Sequence, residues 1–156
     1  MNMVAAIERL ALTLWIGGMW IVGYVVVPLL FHALHDDILA GELAGNLFGT
    51  LSWLGLACGI LLLSLEFSHT RGRWHRSWRL WALLTMLFFT VIGAFVLLPA
   101  IVALKQALPT LAHTTPRFVL LHGISSTLFL INSLLGLALV IFGPSRTLSI
   151  EANGSH

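Results

Sequence analysis

Residues 118–142, FVLLHGISSTLFLINSLLGLALVIF, form a stretch without formal charge that is long and apolar enough to cross a bilayer. The stretch also carries groups that a helix surrounded by hydrocarbon does not want. At about 100° per residue, His122, Ser125, Ser126, Asn132, Ser133 and Gly136 fall within an arc of roughly 120°. Leu, Ile, Val and Phe dominate the rest of the circumference. Polar side chains at membrane depth face protein or water. This helix therefore has an inside, and the remaining segments must provide it. Ser and Asn also serve as ordinary contacts between membrane helices, so the stripe fits packing, with His122 as the one group that could do more.

The composition agrees with a membrane setting. Of 156 residues, 58% are hydrophobic and 9% charged, against about 25% charged in soluble domains. The length accommodates about four spans with short connections and no separate soluble domain. The expected fold is an all-α integral membrane protein: one domain, 1–156, of four transmembrane helices in an antiparallel bundle. The expected spans are 10–34, 38–67, 79–107 and 116–142. The net charge of +2 comes mostly from one loop, which does not suggest nucleic acid. Cys58 is the single cysteine and lies within a span, so no intrachain disulfide can form. Glu8 and Arg9 precede a long apolar run with no small-x-small cleavage pattern; the N-terminus does not read as a secretory signal.

Along the first span, Thr13, Gly17, Tyr24, Pro28, Phe31 and His35 mark an organised face. Gly17 and Gly18 permit close approach of another backbone, and Pro28 should kink the helix near its outer end. Trp15 and Trp20 lie too deep for a simple interfacial belt, so at least one should pack inward. Tyr24 needs a hydrogen-bond partner at mid-depth. In the second segment Asp36 or Asp37 is a helix N-cap. Gly41, Gly45 and Gly49 recur every four residues, and Gly55 and Gly59 repeat the spacing, which builds a groove for a neighbouring helix. A helix over 38–67 is about 45 Å long, longer than the hydrocarbon core, so the turns with Glu42 should project from it. Glu66 at the other end should reach headgroups or the basic loop. The third span has Gly93 in its middle and Pro99 near its outer end. Thr115 and Pro116 start the fourth, and Gly143-Pro144 ends it.

The loop 68–78, SHTRGRWHRSW, is basic and aromatic. Arg71, Arg73, Trp74, Arg76, Trp78 and the following Arg79 read as a membrane-interface anchor, with Trp81 on the same helical face as Trp74 and Trp78. Six arginines (9, 71, 73, 76, 79 and 146) fall on the side of this loop and both termini, and only Lys105 and Arg117 on the other. The positive-inside rule then places both termini in the cytoplasm.

That topology divides the histidines. His69 and His75 lie among arginines, where a cationic field discourages metal binding. His32, His35, His113 and His122 lie toward the outer face with Asp36, Asp37 and Glu42. His32, His35 and His122 are the candidate ligands for copper or zinc, although no HxxxH or HExxH pattern is present. Heme held between helices is the weaker cofactor reading, because only His122 is inside a span. No buried carboxylate pair, catalytic triad or phosphate loop is evident.

The motifs LTLWIGGMWIVGYVVVPLLFHAL, AGELAGNLF, W-x-G and FVLLHGISSTLFLINSLLGLAL resemble a bacterial family of small membrane proteins, domain of unknown function 4149, related to the transmembrane protein 205 group. The resemblance implies a four-helix integral membrane protein and supplies no activity. The first span is also remotely similar to the copper-resistance protein D family and to the four-helix bacterial protoporphyrinogen oxidase. That oxidase family carries a heme histidine early in its first helix; the matching residues here, Ile7-Glu8-Arg9-Leu10, include none.

Taken together, these features lead to a non-catalytic protein of the bacterial inner membrane. In this reading it is an accessory or interaction subunit, a homo-oligomer or part of a larger complex. The helix-packing residues are Gly17, Gly41, Gly45, Gly49, Gly55, Gly59, Ser126, Asn132, Ser133 and Gly136. An outer-face metal protein and a heme-binding redox protein are the alternatives.

Overall fold

Four helices, each long and apolar enough to cross a membrane, run through the computed structural model, which describes residues 3–70, 77–107 and 115–143. They are α1 (Met3–Ala33), α2 (Asp37–Thr70), α3 (Trp78–Ala107) and α4 (Pro116–Phe142). Each packs on its neighbour in sequence, and α1 also meets α4, which closes an up-down-up-down bundle. No strand occurs among the described residues.

The helix starts follow local chemistry. Helix α1 begins seven residues before the expected boundary at 10, because Met3–Leu12 already has an inner face that buries Glu8 and Ala11. Between the two aspartates, Asp36 is the cap of α2: its Oδ1 accepts from the amides of Ile38 (2.9 Å) and Leu39 (3.2 Å). Ser77 caps α3 by accepting from the Leu80 amide at 3.3 Å. Helix α4 starts at Pro116 after Thr115, and the amide of Gly143 closes its last turn on the Leu139 carbonyl.

Neither α1 nor α3 is uniformly α-helical. Wide π turns occur at Thr13–Gly17 and Val22–Val26 in α1 and at Gly93–Leu97 in α3. Two of them precede a proline by the same offset, Pro28 after Val26 and Pro99 after Leu97. A proline has no N–H to give the carbonyl four residues back; the widened turn relieves that defect. At Pro28, where the sequence suggests a kink, the structure has a widened turn just before the proline.

The core lies in the half of the bundle nearest the 70–78 loop. Trp15, Leu83, Met86 and Leu139 are fully buried there, with Ala11, Ile16, Met19, Cys58 and Leu62 around them. Trp15 is the tryptophan that packs inward, while Trp20 stays partly exposed. Glycine makes the space for it. A Cβ on Gly55 sits 2.6 Å from Trp15 Nε1, and one on Gly59 sits 2.6 Å from Leu87 Cδ1 and 3.0 Å from Trp15 Cη2. That part of the α2 groove is therefore filled from within the chain. Beside Gly45, in contrast, an added Cβ meets nothing within 4 Å.

This difference predicts opposite signs for one substitution. Gly45→Ala gains up to about 1 kcal/mol of helix propensity. Gly55→Ala gains the same propensity but overpacks against a fixed indole, at a cost of roughly 1–3 kcal/mol. Thermal denaturation of the detergent-purified variants reads both; equal melting temperatures contradict this account of the groove.

Candidate functional site

The most concentrated polar chemistry is at the loop end of the bundle, where Glu8, Glu66 and Arg79 are all more than nine-tenths buried. The Arg79 guanidinium donates through Nη2 to Glu8 Oε1 of α1. Its Nε lies 3.7 Å from Glu66 Oε2 of α2, an ion pair too long to be a hydrogen bond. Ser77 donates to the other oxygen of Glu66 at 2.9 Å, so one hydroxyl both caps α3 and holds the carboxylate. A Cβ on Gly143, at the end of α4, falls 3.3 Å from Arg79 Nη1. The C-terminal end of α4 thus rests against the cation, an orientation that the helix dipole favours. One guanidinium on α3 thus pairs with carboxylates on α1 and α2 and lies beside the end of α4.

This corrects the interfacial assignment of Arg79. Trp78 and Trp81 do face outward, 45% and 55% exposed. Arg79 is about 100° round the helix from Trp78, which turns it into the bundle. Of the two destinations expected for Glu66, headgroups or the basic loop, the structure gives the second: Glu66 is buried and meets Ser77 at the end of that loop and Arg79 just after it. Arg71, Arg73, Trp74 and Arg76 lie outside the described residues.

The second polar group sits midway along the helices. Tyr24 Oη and Ser133 Oγ are 2.8 Å apart, which gives Tyr24 the partner its depth requires. Ser133 also donates to the Leu130 carbonyl at 2.9 Å, so the tyrosine hydroxyl is the donor between them. Asn132 donates through Nδ2 to Thr90 Oγ1 at 3.3 Å, and Thr90 donates onward to the Met86 carbonyl at 2.8 Å. Asn132 Oδ1 is buried with no partner among the described residues. Gly136, one turn on, lets Ile16 and Met86 close over the helix; an added Cβ meets them at 3.0 and 3.2 Å.

The polar stripe of α4 is thereby divided. Asn132, Ser133 and Gly136 are buried, whereas Ser126 and His122 are exposed. His122 stacks on Phe118 of its own helix, with ring centroids 5.8 Å apart. The stripe is continuous in sequence, but α1 covers only its lower part. His32, in the last turn of α1, and His35, in the connection to α2, are exposed as well. Among the described residues no three His, Cys, Asp or Glu side chains converge on a common point, so the structure does not assemble His32, His35 and His122 into one site. Gly17 has no neighbour within 4 Å of an added Cβ, Gly49 meets only Leu98 at 3.6 Å, and Gly41 is buried.

The two polar groups should differ in weight. Arg79→Leu leaves two carboxylates buried without their cation and should cost about 3–5 kcal/mol. Tyr24→Phe removes one hydroxyl contact between membrane helices and should cost about 0.6 kcal/mol. Unfolding titrations in mixed micelles rank the two variants. If Tyr24→Phe is the more damaging, the buried guanidinium is not what holds the helices together.

Sequence comparison extends the description beyond this one chain. No curated protein and no solved structure matches it. A family described only as a domain of unknown function (DUF4149) matches residues 10–110. The match takes in most of α1 and all of α2 and α3, including Trp15, Glu66, Arg79 and both π-turn prolines. The chain therefore belongs to the DUF4149 family, as a helical protein with four segments long and apolar enough to span a membrane.

Proposed function

We propose that this is a non-catalytic integral membrane protein that serves as an interaction subunit, and that it docks a partner helix on the half of the bundle far from the 70–78 loop. The observation that carries the reading is the exposure of Ser126 and His122. Both continue the face that packs inward at Ser133, and both lie within the apolar length of α4. Polar side chains at that depth are normally covered by protein or water. The other described residues leave them exposed. A membrane-spanning segment of another subunit, or of a second copy, would cover them with the hydroxyl and small-residue contacts that membrane helices use. The same reading moves the docking surface away from Gly55 and Gly59, since Trp15 and Leu87 already occupy that groove.

Site-specific photocrosslinking in native membranes tests it. A benzophenone side chain at Ser126 should give a discrete protein adduct, and one at Leu84, an exposed position on α3 near the loop end, should give none. Labelling of lipid alone at both positions rules the docking surface out.

A further inference from the structure

The two ends of the bundle are built differently. At the loop end Arg79 of α3 pairs with α1 and α2 and lies beside the end of α4, and the buried core surrounds Trp15. Toward the other end contact between an α1–α2 pair and an α3–α4 pair thins, with Leu98 of α3 still 3.6 Å from a Cβ on Gly49 of α2. The last segment of α1, Val27–Ala33, packs on α2, and the last segment of α3, Leu98–Ala107, packs on α4. No residue in Val22–Ala33 or Leu98–Ala107 is buried, nor is any in α4 before Asn132. Ring and hydroxyl contacts between the two pairs gather at one level: Tyr24 with Ser133 (2.8 Å), Tyr24 and Phe48 with Phe129 (5.9 and 5.3 Å between ring centroids), and Trp53 with Phe95 (5.8 Å).

Both distal segments leave that level through the same device. Val22–Val26 and Gly93–Leu97 are π turns, each followed two residues later by a proline. A wide turn and a missing N–H remove part of the hydrogen-bond ladder that stiffens a helix. Helices α2 and α4 run through the same level as unbroken α-helix. The weakened points therefore occur once in each pair, in the two helices that run in the same direction, at the boundary between the half that holds the large buried side chains and the half where α2 buries only small residues, Ala40, Gly41 and Ala44.

We infer that Val22–Pro28 and Gly93–Pro99 are paired hinges: the distal segments of α1 and α3 swing on them against a base clamped by Arg79, so the divide between the α1–α2 and α3–α4 pairs opens and closes. The motion uncovers or covers the Ser126 and His122 wall of α4. It does not depend on what docks there.

Distances between nitroxide pairs in the liposome-reconstituted full chain, with Cys58→Ala as background, test the hinges. Leu29→Cys with Leu120→Cys, both exposed, reports across the divide; Leu10→Cys with Ile141→Cys, also exposed, reports on the base. The distal pair should give a broad or two-peaked distribution and the basal pair a single narrow one. Pro28→Ala with Pro99→Ala should narrow the distal distribution and leave the basal one unchanged. The unchanged basal distance shows at the same time that the variant is folded; if it is not, each proline is replaced singly. A distal distribution as narrow as the basal one overturns the inference, and so does a broad one that neither proline variant narrows.

Discussion

A single buried guanidinium sets the geometry of the rest of the chain. Bringing Arg79, Glu8 and Glu66 out of water is costly, and their mutual attraction offsets that cost only where the geometry is good and the remaining polar atoms are bonded. Here Ser77 supplies one of those bonds and the end of α4 supplies favourable dipole. The net gain in stability from such a cluster is commonly small; what it fixes is register. Apolar helices in hydrocarbon slide and rotate against one another at little cost, because one Leu is much like the next. A charge that must find carboxylates on two particular helices removes that freedom. Rotating α1 or α2 by one residue moves Glu8 or Glu66 by about 100° and leaves a buried charge without its partner.

With the register fixed at one end, the tryptophan above it can be accommodated. Trp15 is almost fully buried, and it fits because Gly55 and Gly59 present backbone where any side chain would collide. The large residue on α1 and the small ones on α2 are complementary only in one alignment, the one the ion cluster enforces. Close packing of large side chains then continues through Leu83, Met86 and Leu139 as far as Tyr24 and Ser133, and past them α2 buries only small residues, Ala40, Gly41 and Ala44. Beyond that level Gly45, Gly93 and Gly123 face open space, and no large side chain from a neighbouring helix fills it.

The architecture was legible because hydrocarbon imposes it. Four apolar stretches of the right length admit few arrangements, and short connections make sequential neighbours pack side by side. That one of Trp15 and Trp20 turns inward, the need of Tyr24 for a partner and the buried position of Ser133 also follow from depth and helical phase. The ion cluster did not. Read singly, Arg79 is one more arginine beside a basic aromatic loop, Glu66 is a carboxylate within reach of headgroups or of that loop, and Glu8 precedes the apparent span. Their pairing is a contact between residues 71 positions apart, and charge counting treats such residues as interfacial. One signal was available: Trp78 and Trp81 define an outward face, and Arg79 is not on it.

The stripe on α4 shows the limit of phase as evidence. Helical periodicity places His122, Ser126 and Ser133 on one side, and they are on one side. Periodicity cannot say how far along that side a neighbour extends. What ends the coverage is in α1: a π turn adds to the residues per turn and so changes the direction in which later side chains point. After Val22–Val26 the face of α1 that met Ser133 through Tyr24 no longer tracks α4, and the distal residues of α1 pack on α2. The exposed histidine and serine are thus the consequence of a backbone irregularity in another helix.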